Sequence, residues 1–120
     1  MKKKYVLVGR IPSKKNSRVN TRSGRSFPSR DFTEWQDNAI NEILIQGRVH
    51  FDRPIKMKIS FRFKDNTRCD LDNRLSSILD MLVKAGVLDD DRWQLVPEIE
   101  VYAKLNNEKQ TVTEIEMEEV

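Results

Sequence analysis

The chain predicts an α/β (α+β) domain, a small mixed β-sheet of about four strands with two main helices, on three observations. Ile55-Lys56-Met57-Lys58-Ile59-Ser60-Phe61-Arg62-Phe63 alternates apolar and polar residues over nine positions, the period of a half-buried strand. Two stretches, Phe32 to Ile43 and Leu71 to Leu82, carry apolar residues at helical spacing. Further apolar runs and turn signals alternate with these, without repeat or linker. At 120 residues and 14.1 kDa the whole chain, 1–120, fits one domain with one core.

In chain order, Tyr5-Val6-Leu7-Val8 reads as a short buried strand. The segment at about 10–30 has no apolar periodicity and reads as a basic loop. It holds Pro12, Gly24 and Pro28 and seven cations: Arg10, Lys14, Lys15, Arg18, Arg22, Arg25 and Arg30. A loop of that length in a compact domain is usually functional or disordered. Asp31, with Glu34 three residues on, has the spacing of a helix start, and Phe32, Trp35, Ala39, Ile40 and Ile43 follow until Gly47 ends the helix. After the Ile55–Phe63 strand, Lys64 to Arg68 breaks the chain. Leu71, Leu75, Ile78, Leu79 and Leu82 then form one stripe, closed by Lys84 and Gly86. Ile99, Val101, Ala103 and Leu105 alternate as a strand, Asn106-Asn107-Glu108 turns, and a strand from Thr111 to Met117 is expected to return beside it as an antiparallel hairpin.

Charge is segregated. Residues 1–30 carry ten Lys and Arg and no acid, so with a net +3 the remainder is −7, and Glu114, Glu116, Glu118 and Glu119 make the tail acidic. Such a distribution suggests a basic end that faces a polyanion. One cysteine, Cys69, excludes an internal disulfide, and Cys69 with the single His50 is too few for a tetrahedral zinc site. The apolar run Tyr5–Val8 is too short for a signal sequence or a membrane span, so a soluble, cytoplasmic protein with no membrane partner is expected.

The chemistry-bearing stretch is Cys69-Asp70-Leu71-Asp72-Asn73, answered by Asp89-Asp90-Asp91. Two carboxylates at i and i+2 project to one side if the chain there is extended, and hard cations such as Mg²⁺ take oxygen ligands of this kind. Helix capping explains one Asp before a helix, not two with Asn73 beside them. An EF-hand fails because Arg74 and Leu75 stand where a further ligand and Gly are required. Asp89 to Asp91 follow the helix and could fall at its opposite end, so spacing alone does not bring the two clusters together. With the cationic segment, the acids point to phosphodiester chemistry on nucleic acid. No Ser or Cys nucleophile pairs with a base here, and His50 reads as structural.

The run Asp70-Leu71-Asp72-Asn73, the helix end Lys84-Ala85-Gly86, the pair Asp90-Asp91 and the early Pro12-Ser13-Lys14-Lys15-Asn16 together resemble the RusA family of Holliday junction resolvases over nearly the whole chain. The resemblance implies a RusA-like fold, a homodimer, and symmetric cutting of four-way DNA junctions with Mg²⁺ (Mn²⁺ possible) and no small-molecule cofactor. It implies that Asp70, Asp72 and Asp91 are catalytic and gather with Asp90 around the metal in one acidic site. Lys14, Lys15, Asn16, Arg18, Arg68, Asn73 and Arg74 are the expected DNA contacts. Two positions depart from the family pattern. Ser76 stands where a Lys is frequent, leaving Arg74, Arg68 or Lys84 to supply a cation, and Arg92-Trp93-Gln94 follows the acidic pair. Trp93 reads more readily as a core residue than as a base-stacking one. Two alternatives stay open: a junction-binding module without catalysis, and a nuclease acting on flaps or single strands.

Overall fold

A computed structural model describes residues 1–13, 18–20 and 26–120, with the side chains of 1–13 and 29–120. The elements are β1 (Lys2–Val8), β2 (Arg18–Asn20), β3 (Ser26–Pro28), α1 (Arg30–Ile45), β4 (Ile55–Phe63), α2 (Leu71–Lys84), β5 (Glu98–Leu105) and β6 (Val112–Glu119). The expected mixed sheet of four strands with two helices is present, in the order β1-β6-β4-β5. β6 runs antiparallel to both β1 and β4, while β4 and β5 are parallel and joined across α2. The core lies between one face of the sheet and the helices: Tyr5, Leu7, Ile55, Met57, Ile59, Phe61, Ile115 and Met117 from the strands meet Ile43, Ile78, Met81 and Leu82 from the helices.

Four expectations need correction. The last two strands do not form a hairpin, because β4 lies between β5 and β6. The backbone N–H of Asn106 donates to Phe63 O at 2.7 Å, carrying the chain past the end of β4, and Asn107 takes the turn at φ 53°. β6 buries Thr113, Ile115 and Met117 completely and so belongs in the middle, whereas β5 is open on both faces. The basic segment also contains regular structure, since β2 pairs antiparallel with β3. Ser29, not Asp31, caps α1: its Oγ accepts from Phe32 N at 3.3 Å. Trp93 is 73% exposed, not in the core.

The charge pattern also resolves differently from its linear reading. On the sheet face away from the helices, successive strands present Lys2, Glu118, Lys56 and Glu98 in one row, and Lys4, Glu116, Lys58 and Glu100 in the next. Lys4 and Arg62 reach Glu114 at 3.3 and 2.9 Å, and Lys56 reaches Glu118 at 3.7 Å. The acidic tail is therefore neutralised by cations of β1 and β4. Lys2 and Lys4 belong to this lattice rather than to a polyanion-facing arm. Among the described residues no helix is long and apolar enough to cross a membrane.

Candidate active site

Asp70 occupies the N-cap of α2, with extended backbone (φ −91°, ψ 128°), and Leu71 already begins the helix. The condition for Asp70 and Asp72 to align along an extended chain is thus not met. They stand instead in the first turn of one helix, both exposed to solvent. An N-cap Asp ordinarily accepts an N–H from the first turn, worth about 1 kcal/mol. The Asp70 side chain makes no such bond. Asp72 accepts the N–H of Asn73 at 2.9 Å. The helix dipole favours both carboxylates here, so the start of α2 carries two exposed acids, and Asp70 is not consumed as a cap.

Cations surround this end. Arg10, Lys64 and Arg74 line a cleft of about 240 Å³ with Asp65, Thr67, Cys69, Phe61 and Phe63. Arg68 lines the neighbouring cleft with Leu71 and Leu105. The loop leading into α2 is tightened by Asp65, whose Oδ1 accepts from Thr67 N at 3.0 Å. Bonds from Thr67, first its side chain and then its backbone N–H, hold the Asp65 carboxyl below the usual range. Ser77 donates to Pro12 O at 2.7 Å, which fixes the start of the basic segment against α2. Asn73 and Arg74 are half-buried in the first turns, and Ser76 is exposed. Lys14, Lys15 and Asn16 lie outside the described residues, as does the side chain of Arg18.

Asp89, Asp90 and Asp91 lie at the other end of α2. A 14-residue helix is roughly 21 Å long, and Asp90 and Asp91 share a cleft with Asp80, Val83 and Lys84 from its C-terminal half and Phe32, Thr33 and Gln36 from α1. Lys84 therefore stands far from Asp70, while Arg68 and Arg74 stand near it. The second cluster is also more engaged. Asp89 is 2.8 Å from His50 Nε2, giving that histidine a structural partner. Asp90 accepts from Asp91 N at 2.9 Å and lies 3.3 Å from Arg92, and the Asp91 N–H is the main reason its carboxyl is held below the usual range. Among the described residues no three His, Cys, Asp or Glu side chains stand close enough to share one ion. One protomer thus sets Asp70 and Asp72 at the start of α2, and Asp90 and Asp91 beside its C-terminal half. Sequence reasoning did not single out Asp80, which lines the cleft of Asp90 and Asp91, or Lys64, which lines the cleft of Arg10 and Arg74. Asp80 carried a signal, being an acid set between Leu79 and Met81 in an otherwise apolar turn.

Comparison with known proteins adds an independent line. The family described as Endodeoxyribonuclease RusA matches residues 9–118. The crossover junction endodeoxyribonuclease RusA of Aquifex aeolicus (strain VF5) is 28% identical over 109 residues, spanning 89% of this chain and 85% of that protein.

Proposed function

The chain belongs to the RusA family of endodeoxyribonucleases, and from that premise we propose that it is a divalent-metal-dependent endonuclease that resolves four-way DNA junctions by paired phosphodiester hydrolysis. The observation that carries the reading is the idle N-cap: Asp70 holds the capping position without capping, beside Asp72 and a cationic cleft. The donor set suits Mg²⁺ (Mn²⁺ possible), which takes one or two carboxylates and completes its shell with water and phosphate oxygens. When bound, the ion supplies a water of lowered pKa and neutralises charge on the phosphate. Asp70 and Asp72 hold it. Arg10, Lys64, Arg68 and Arg74 position the DNA backbone, and the segment of Lys14, Lys15, Asn16 and Arg18 extends that contact. No small-molecule cofactor is needed.

Asp91, with Asp90 beside it, stands a helix length away in the same protomer, so it joins Asp70 and Asp72 from a second copy. A homodimer whose twofold axis sets the two α2 helices antiparallel presents two such composite sites, matching a junction's pseudo-twofold symmetry. The decisive experiment mixes Asp70→Asn and Asp91→Asn subunits and assays a synthetic four-way junction with Mg²⁺. In a composite arrangement the heterodimer keeps one intact site and nicks one strand. If each protomer held its own complete site, every subunit would be dead and the mixture silent. A linear duplex and a flap substrate run alongside separate junction resolution from a flap or single-strand nuclease. Wild-type turnover in excess EDTA would overturn the metal dependence.

A further inference from the structure

The inward positions of β6 read Thr113, Ile115 and Met117, all fully buried. A threonine there has the outline of a valine and adds one hydroxyl that needs a partner. Thr113 lies on a central strand between Leu7 and Phe61, and its Oγ1 is closed off from solvent and bonds no described atom. A buried hydroxyl left unbonded destabilises a fold, so its presence calls for another reason.

Thr113 and buried Phe61 stand at the inner end of the cleft of about 240 Å³ that Arg10, Lys64 and Arg74 border. Phe63 is half-buried in its wall and stacks on Phe61 with ring centroids 5.6 Å apart. Thr111 accepts the Lys64 N–H at 3.2 Å, which leaves its own O–H to donate. Arg10 and Lys64 are exposed at the mouth. On the sheet, Lys4 and Arg62 are matched by Glu114 and Lys56 by Glu118, whereas none of the three cleft cations makes an ion pair with a described acid. Asp65, the acid of the cleft, is held by Thr67 instead.

An aromatic wall, hydroxyls at the inner end and unmatched cations at the mouth suit a flat, polar-edged anion, and a nucleotide is one. The cleft is smaller than drug-sized sites of about 300–1,000 Å³, so it has room for one base and not for a base pair. Cys69 lines it one residue before Asp70, and Arg74 two residues after Asp72. A base held there keeps its strand beside the candidate metal ligands. A four-way junction interrupts base stacking at the point of exchange, where extruding a base costs least.

We propose that this cleft takes one unstacked base of the cut strand, with Thr113 bonding its polar edge, Phe63 against its face, and Arg10, Lys64 and Arg74 on its phosphate. The inference rests on the endonuclease reading and deepens it: the base beside the cut, and not the shape of the junction alone, selects where the strand is hydrolysed.

Cys69, the chain's one cysteine, reports on the cleft. The full wild-type chain is labelled with a chromogenic disulfide reagent in EDTA, which keeps the DNA whole. A synthetic junction at about ten times its Kd should slow labelling roughly tenfold. A series of junctions follows, each with one abasic nucleotide near the point of exchange. One position should restore the labelling rate of the free protein while a gel shift shows the junction still bound. Thr113→Val, which keeps the shape and removes the hydroxyl, should melt no lower than wild type. It should also lower the preference for one base at that position by roughly 2- to 10-fold. Equal protection by every abasic junction, or an unchanged base preference in Thr113→Val, overturns the base cleft alone. Full protection by mononucleotides at the same concentration assigns the cleft to a free nucleotide and overturns the DNA strand as its source. A wild-type chain that neither binds nor cuts the junction overturns the endonuclease reading with it.

Discussion

The N-termini of α1 and α2 begin the same way in sequence, with a small polar residue ahead of an amphipathic stretch, and end up in different employment. At α1, Ser29 turns its hydroxyl inward to accept Phe32 N, and its carbonyl accepts from Thr33. That end is closed by its own chain. At α2, Asp70 has the backbone of a cap and the side chain of none, and Asp72 stands beside it exposed. A helix end that leaves its first N–H groups unbonded by the capping side chain gives up about 1 kcal/mol, a loss that makes sense where the carboxylate has another ligand to meet. The contrast separates a polar residue that holds structure from one held in reserve.

The largest effect tests that separation directly. Asp70→Asn and Asp72→Asn should each abolish cutting, since the amide keeps the shape and loses the charge, while junction binding stays and stability moves by less than about 0.5 kcal/mol. Cleavage and binding assays on the same junction, with a thermal melt, decide it. Asp91→Asn should behave alike, and Asp89→Asn should still cut because Asp89 is occupied with His50. A dead Asp89→Asn beside an active Asp91→Asn would place the second cluster two residues out of register.

The segment joining the two helix ends gives the next effect. It starts at Pro12, whose carbonyl accepts from Ser77 of α2, and enters α1 at Ser29. Neutralising Lys14, Lys15 and Arg18 should reduce the slope of log K against log salt by roughly 2 to 3, at about 0.9 per phosphate contact. Over a fourfold rise in salt, three contacts amount to roughly a fortyfold change in affinity. An unchanged slope would remove the segment from the DNA and leave Arg10, Lys64, Arg68 and Arg74 as the backbone contacts.

How far these features could be read from sequence follows from the range of the forces involved. β4 was legible to its ends, Ile55 to Phe63, because a strand half covered by helices writes its period into its own residues. The hairpin was not, because pairing of β6 with β1 and β4 is decided by which strand has the most to bury, and Asn106-Asn107-Glu108 looks the same whether the chain turns back or passes over β4. Leu75 and Leu79 pack against the core as their spacing suggests, while Leu71 of the same stripe is exposed, because periodicity marks apolar residues without saying what covers them. Glu114, Glu116 and Glu118 read as a charged tail because their cations lie some fifty or more residues away along the chain. Asp70 and Asp72 were candidates from residue type and spacing, but the unbonded cap that distinguishes Asp70 is a conformation and has no letter.

Ser29→Ala inverts the first prediction. It removes the bond to Phe32 N and should cost about 1 kcal/mol, roughly 4 °C in Tm, with junction cutting unchanged below the melt. Loss of cutting without loss of stability would mean that the α1 end also touches substrate, and the distinction between the two helix ends would fail.

The smallest effect is in the acid range, where each helix end has one carboxyl held below its ordinary value: Asp65 on the turn into α2, through Thr67, and Asp90 in the cleft beside the first turn of α1, through the Asp91 N–H and then Arg92. A carboxyl whose folded pKa is depressed adds stability above its unfolded value, about 3.9 for Asp, and loses it as the pH falls through the folded value. Asp65→Asn and Asp90→Asn should therefore melt slightly below wild type at pH 7. The gap should narrow below about pH 4 and close once the wild-type carboxyl is protonated and as neutral as the amide. Both groups are solvent-exposed, so the gap is small and is best followed by thermal melts of wild type and variant side by side from pH 7 to pH 2. A gap that persists or widens in acid would show that shape rather than charge is what these two turns require.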